Sequence, residues 1–175
     1  MLWKPFLYQD ETYSLKHLHP FQMEVIQESN GAKPERKYNF HVSFSLHCFS
    51  RKELADEENI ELRYKDSRET RIFCYERYQL SKKLPEIIRN IGKNRCLHTG
   101  HGNFFIVEIL TENGQKQNYE VYFTVKRAQK GRLNLYIQSA YIRDEKHQYR
   151  RKKKPIGFYV IAFNTLHNKK IRVPK

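Results

Sequence analysis

Residues 103–126 read NFFIVEILTENGQKQNYEVYFTVK, and the fold follows from how this stretch is parsed. FFIVEIL is β-branched and aromatic and stops at Thr111-Glu112-Asn113-Gly114, a turn signal. Asn113-Gly114 supplies the positive φ angles of a tight hairpin turn. The return limb alternates: Tyr119, Val121, Phe123 and Val125 on one side, Glu120, Tyr122, Thr124 and Lys126 on the other. A period of two means one buried and one presented face. The stretch is therefore expected to be a β-hairpin. After a turn at Gln129-Lys130-Gly131, residues 133–144 (LNLYIQSAYIRD) read as a third strand and residues 156–164 (IGFYVIAFN) as a fourth.

Working outward, the spacing of Leu84, Ile87, Ile88 and Ile91 forms one apolar stripe. It predicts a short helix capped by Ser81 and ended at Gly92. Upstream, YNFHVSFSLHCF at 38–49 alternates as a strong strand, with His41, Ser43, Ser45 and His47 on its polar side. Residues 13–26 read as edge-strand material interrupted by Pro20. A short strand is expected at 71–75, and the acidic run at 56–61 is the best candidate for a boundary. The expected fold class is α+β: a curled antiparallel sheet with one or two short helices on one face, plus an N-terminal β-rich lobe. The lobes would be residues 1–60 and 61–175, with one continuous domain as the alternative.

The chain has 175 residues and a formal net charge of +14. The excess is lopsided. Residues 126–175 hold 15 Lys/Arg against Asp144 and Glu145, a net +13, leaving +1 for the rest. Such asymmetry points to an anionic partner, nucleic acid first, with a solvating tail as the plain alternative. No apolar run approaches the roughly 20 residues of a membrane span, and no signal-peptide pattern opens the chain. Three widely spaced cysteines, Cys48, Cys74 and Cys96, argue against a disulfide framework and for a reducing, cytoplasmic setting.

Chemistry concentrates in the loop Cys96-Leu-His98-Thr-Gly-His101-Gly. Imidazoles titrate near neutrality, so His98 and His101 can serve as general base and acid in phosphodiester cleavage. The alternative is a solvated loop. Lys126 and Arg127 end the second strand of the hairpin, and a cation there can stabilise a phosphorane. Ser139 and Tyr141 share a face of the third strand with Leu133, Leu135 and Ile137. Tyr141 would thus be a core aromatic unless a bulge turned it into a cleft. The imidazoles of His41, His47, His17 and His19 are candidates for a second wall, or for the wet side of a half-exposed sheet. Cys96, His98 and His101 offer zinc-type ligands, but without a closely paired set no metal is assigned. No phosphate-binding glycine motif is present and no cofactor is expected.

A short helix, an antiparallel sheet, histidines before it and Ser139-Ala-Tyr141 on a later strand together resemble the barnase, EndoU, colicin and RelE-like ribonuclease superfamily, over Tyr78–Asn164. The resemblance implies His98 and His101 as the histidine pair, Lys126 as charge stabiliser, and Ser139 and Tyr141 lining the site. His98 and His101 are closer together than the EndoU pattern has them, and Ile142 replaces a proline. These departures leave open that His41 or His47 completes the pair, or that Arg127, Tyr141 and Arg143 act as in the RelE-like branch. The function expected is RNA binding with metal-independent endoribonuclease activity, as in a toxin or mobile-element effector. Backbone contacts would come from Arg127, Arg143, Arg150, Arg151, Lys152, Lys153 and Lys154. The alternative is a non-catalytic basic module docking nucleic acid or a nucleoprotein complex. Partners would be RNA, or a protein antitoxin, and not a membrane, since the basic segment lacks interleaved large apolar residues.

Overall fold

A computed structural model describes residues 2–54, 60–94, 96–98, 103–110, 116–142 and 154–172. In chain order the elements are β1 (Phe6–Tyr8), β2 (Glu11–Tyr13), β3 (Phe21–Gln27), β4 (Arg36–Phe44), β5 (Ser50–Arg51), β6 (Arg63–Lys65) and β7 (Thr70–Phe73). Then follow α1 (Tyr75–Ser81), α2 (Leu84–Arg89), β8 (Cys96–His98), β9 (Asn103–Leu110), β10 (Lys116–Arg127), β11 (Leu133–Ile142), β12 (Lys154–Ile156) and α3 (Phe158–Leu166). The fold is α+β. A seven-stranded sheet has the order β12-β8-β9-β10-β11-β4-β3, and β5-β7-β6 form a second, three-stranded sheet.

The expected hairpin is β9–β10, antiparallel from Asn103↔Phe123 to Leu110↔Lys116. Its turn, with Asn113 and Gly114, lies outside the described residues. The alternation on β10 holds for Tyr119, Val121 and Phe123, which are fully buried, but Glu120 on the other side is buried as well and Val125 is only half-buried. β3 is an edge strand, as the Pro20 interruption predicts. β4 pairs parallel with β11, so the sheet is mixed at that one join. That pairing, with one core cluster from Trp3 to Ala162, carries strand and core across the boundary expected at residues 60/61.

Three elements differ from the sequence reading. Residues 158–166 form a helix, not a fourth strand. FYVIAFN carries no polar residue before Asn164, so a strand and a buried helix look alike there. The three-dimensional answer is set by Phe158, Ile161 and Ala162, which recur at helical spacing and are all buried. Phe158 meets Phe40 at 5.5 Å and Phe123 at 6.2 Å, so α3 covers the apolar side of the sheet. Second, β4 stops at Phe44, where Ser45 accepts a hydrogen bond from the backbone N–H of His47 and starts a single 3-10 turn. Third, the expected helix forms as α2, with Pro85 in its first turn, but Ser81 does not cap it: Ser81 ends an additional helix, α1, where its hydroxyl donates to the Tyr78 carbonyl at 2.7 Å.

The decisive irregularity is in β11. Tyr122 faces Ser139, but the next residue, Phe123, faces Ile137, so Gln138 is an extra residue. This β-bulge shifts the alternation by one. Leu133, Leu135 and Ile137 are buried on the α3 side, and beyond the bulge Ala140 takes that role. Ser139 and Tyr141 rotate to the opposite side, which no helix of the C-terminal segment covers.

Candidate functional site

The bulge, the end of β4 and the tip of the β6–β7 hairpin meet over a cleft of about 700 Å³. Its lining includes Ser43, His47, Arg68, Glu69, Tyr122 and Tyr136, together with Ser139 and Tyr141. Each side chain is held by a local cause. The hairpin tip Asp66-Ser67-Arg68-Glu69 is fixed by the Asp66 carboxylate, which accepts from the N–H groups of Arg68 (2.8 Å) and Glu69 (2.9 Å). This aims Glu69 at the 3-10 turn, where its Oε1 lies 2.7 Å from His47 Nε2. The Arg71 guanidinium sits 3.4 Å from the other Glu69 oxygen. The Ser45 hydroxyl ties that turn to the bulge by donating to the Gln138 carbonyl at 2.6 Å.

Electrostatics follow from this geometry. Partial burial acts to raise the Glu69 carboxyl, but the hydrogen bond and charge of His47, with Arg71, outweigh it and hold the pKa below its ordinary value. In neutral His47, donation of Nε2–H to the carboxylate leaves the lone pair on Nδ1. A carboxylate–imidazole pair of this kind takes up a proton and stabilises the resulting cation. On the far wall Tyr122 and Tyr141 stack at 5.7 Å and 16°. The Tyr122 hydroxyl donates to the buried Glu120 carboxylate. Burial first, then the hydrogen bonds to Glu120 and Tyr141, push the Tyr122 phenol well above its ordinary value. Arg77 of α1 caps the Tyr141 ring at 4.8 Å and donates to the backbone carbonyl of Ser50 at 2.8 Å. Arg68 makes no ion pair among the described residues.

Of the residues singled out from sequence, Ser139 and Tyr141 line this cleft, and His47 is the histidine that joins them. The condition attached to Tyr141, that a bulge must turn it, is met at Gln138. His98 lies elsewhere. It aligns through Asn103 with Phe123, on the side that α3 covers, and is 9% exposed. Lys154 pairs with His98 on β12, away from the cleft. Lys126 shares the uncovered side but lies four residues along β10 from Tyr122, about 13 Å away. Arg127 is exposed at the end of β10. His41 is exposed on the uncovered side, opposite Asn134 on β11 and two residues along β4 from Ser43, and does not itself line the cleft. His17 and His19 bond Ser81 and the Trp3 carbonyl, outside the cleft. His101, Arg143, Arg150, Arg151, Lys152 and Lys153 lie outside the described residues.

The same holds for part of the zinc set. Cys96 and His98 sit two apart on β8, and no three metal-ligating side chains cluster among the described residues. All three cysteines are free, and burial pushes Cys48 and Cys96 up to about 12, so both are thiols at neutral pH. No helix among the described residues is long and apolar enough to cross a membrane.

Glu69, Arg68, Arg77, Tyr122 and Tyr136 were not singled out from sequence. The Asp-Ser-Arg-Glu turn was readable as a turn, and Tyr122 as a residue pointing away from the core. Their convergence with His47 depends on contacts between residues more than 20 positions apart.

The Escherichia coli (strain K12) protein named Protein YjaZ is 34% identical over 176 residues, spanning 98% of this chain and 95% of that relative. No solved structure matches the chain. The family model described as the YjaZ family matches residues 5–166, which take in all three sheets, the two-stranded β1-β2 pair included, with the cleft and α3, and the chain accordingly belongs to the YjaZ family.

Proposed function

We propose that the protein is an RNA-binding endoribonuclease of the cytoplasm, and that it cleaves at the cleft by proton transfer without a divalent cation. The reading is carried by the His47–Glu69 pair facing Ser139, Tyr141 and Arg68, which makes no ion pair among the described residues, across one cleft. His47 Nδ1 takes the proton of a ribose 2′-hydroxyl, and the 2′-oxygen attacks the adjacent phosphorus. The bond from phosphorus to the 5′-oxygen breaks, and Tyr141 returns a proton to that oxygen. The products are a 2′,3′-cyclic phosphate and a 5′-hydroxyl. Glu69 holds the imidazolium, and Arg68 meets the charge that builds on the phosphorane. Ser139 binds a phosphate oxygen. This replaces His98 and His101 as the acid–base pair, because His98 faces the other side of the sheet.

The test is cleavage of a single-stranded RNA in EDTA. Wild-type protein is expected to cleave it. His47→Ala is expected to lose roughly 100-fold or more in rate, and His98→Ala to leave the rate unchanged if the variant is folded. Binding without cleavage by the wild type would instead assign a non-catalytic nucleic-acid module. Neither binding nor cleavage would remove the proposal.

A further inference from the structure

The uncovered side of the sheet has a second depression, of about 740 Å³, next to the cleft. One rung of side chains crosses it: Asn134 on β11 faces His41 on β4, which faces Gln22 on β3, and Lys126 on β10 lies beside Asn134 at the margin of the depression. The next rung toward the cleft pairs Tyr136 with Ser43, and both of these line the cleft. The two hollows are therefore consecutive, about 7 Å apart along the strands.

The lining is rich in carboxamides. Gln22, Asn39, Gln129 and Asn134 all open into it. All four are exposed, and none of their side chains forms a hydrogen bond within the described residues. A primary amide presents a donor and an acceptor side by side, the pattern that matches adenine's amino group and adjacent ring nitrogen. Lys130 and Arg132 flank the hollow with Lys126, against one acid, Glu24. Half-buried Tyr136 stands at the join between the hollows, where an aromatic ring can stack on a splayed base.

We infer that this depression is a base-reading subsite for single-stranded RNA, with Asn39 and Asn134 hydrogen-bonding an unstacked adenine and Lys126 and Arg132 holding the flanking phosphates. It rests on the reading that RNA occupies the adjacent cleft. It assigns Lys126 to strand positioning rather than to the reacting phosphate.

The experiment measures the affinity of 2′-O-methyl dodecamers of A, C, G and U, which lack the 2′-hydroxyl nucleophile and cannot be cleaved by the route above. Each is titrated at several salt concentrations. Wild-type protein is expected to prefer the A dodecamer roughly tenfold. Asn39→Ala/Asn134→Ala is expected to lose that preference while keeping the salt dependence. Lys126→Ala/Arg132→Ala is expected to keep the preference and flatten the slope of log affinity against log salt by about 1.4. Asn39→Asp/Asn134→Asp, which removes the amide donors with little change of shape, gives a second reading of the same loss. Wild-type binding without base preference, or preference surviving in both Asn variants, overturns the subsite. No binding of any dodecamer by the wild type overturns the RNA reading itself, and the subsite with it.

Discussion

Single residues in this molecule separate chemistry from structure. Glu69 is held below its ordinary pKa by His47 and Arg71. A carboxyl with a depressed folded pKa adds stability above its unfolded value, and that stability fades as pH falls through the folded one. Both partners of this pair are more than a third exposed, so the contribution is small. Glu69→Gln is expected to lower stability at pH 7 by less than about 1 kcal/mol, with the difference from wild type fading as pH falls through the depressed folded pKa. Urea unfolding across pH measures this. The same substitution should slow RNA cleavage, since it removes the carboxylate that stabilises the imidazolium. Tyr119 is the reverse case. Its hydroxyl is buried without a hydrogen-bond partner among the described residues, and burial pushes the phenol well up. Tyr119→Phe removes a desolvated polar group and is expected to be neutral or stabilising, by up to about 1 kcal/mol in denaturant unfolding.

At the scale of elements, α3 and the β11 bulge position everything else. Phe158 is 2% exposed and packs on Phe40 and Phe123. Phe158→Ala is expected to cost about 3–5 kcal/mol, read as a fall in urea midpoint at unchanged slope. A second contact fixes how α3 meets the rest. Tyr159 donates to the Ile26 carbonyl at 2.9 Å, and a Cβ on Gly92 would lie 2.6 Å from that hydroxyl. Gly92→Ala is expected to destabilise by about 1 kcal/mol, the Tyr159 ring end being able to yield. Combined with Tyr159→Phe, which removes the clashing oxygen, the loss should be less than additive. These elements also mark what the sequence could convey. The hairpin and its faces were legible because Tyr119 to Lys126 obey a period of two over a long run. The final helix was not, because an unbroken apolar run has no periodicity to read. The bulge was legible only as a condition: the parity of Leu133 to Tyr141 put a serine and a tyrosine in the core, and only an extra residue could release them.

For the whole molecule, one face of a seven-stranded sheet packs under α3 into the core, and the other carries the cleft, walled by α1 and the β6–β7 hairpin, and the depression beside it. Loop-local histidines, His98 and His101, drew attention because they are close in sequence. The residues that meet at the cleft come from β4 and the 3-10 turn after it, the β6–β7 turn, α1, β10 and β11, and no spacing rule links them. The uneven charge was plain from the sequence, but among the described residues Lys126, Lys130 and Arg132 edge the open face, while Lys154 lies at the far edge of the sheet. The most direct measurement is a titration of the protein with an uncleavable single-stranded RNA, followed by amide chemical shifts. The account predicts shifts confined to the open face, from Asn39, His41, Asn134 and Tyr136 to His47, Glu69 and Tyr141. Shifts centred on α3 or on β12 and His98, or none at low salt, would contradict it.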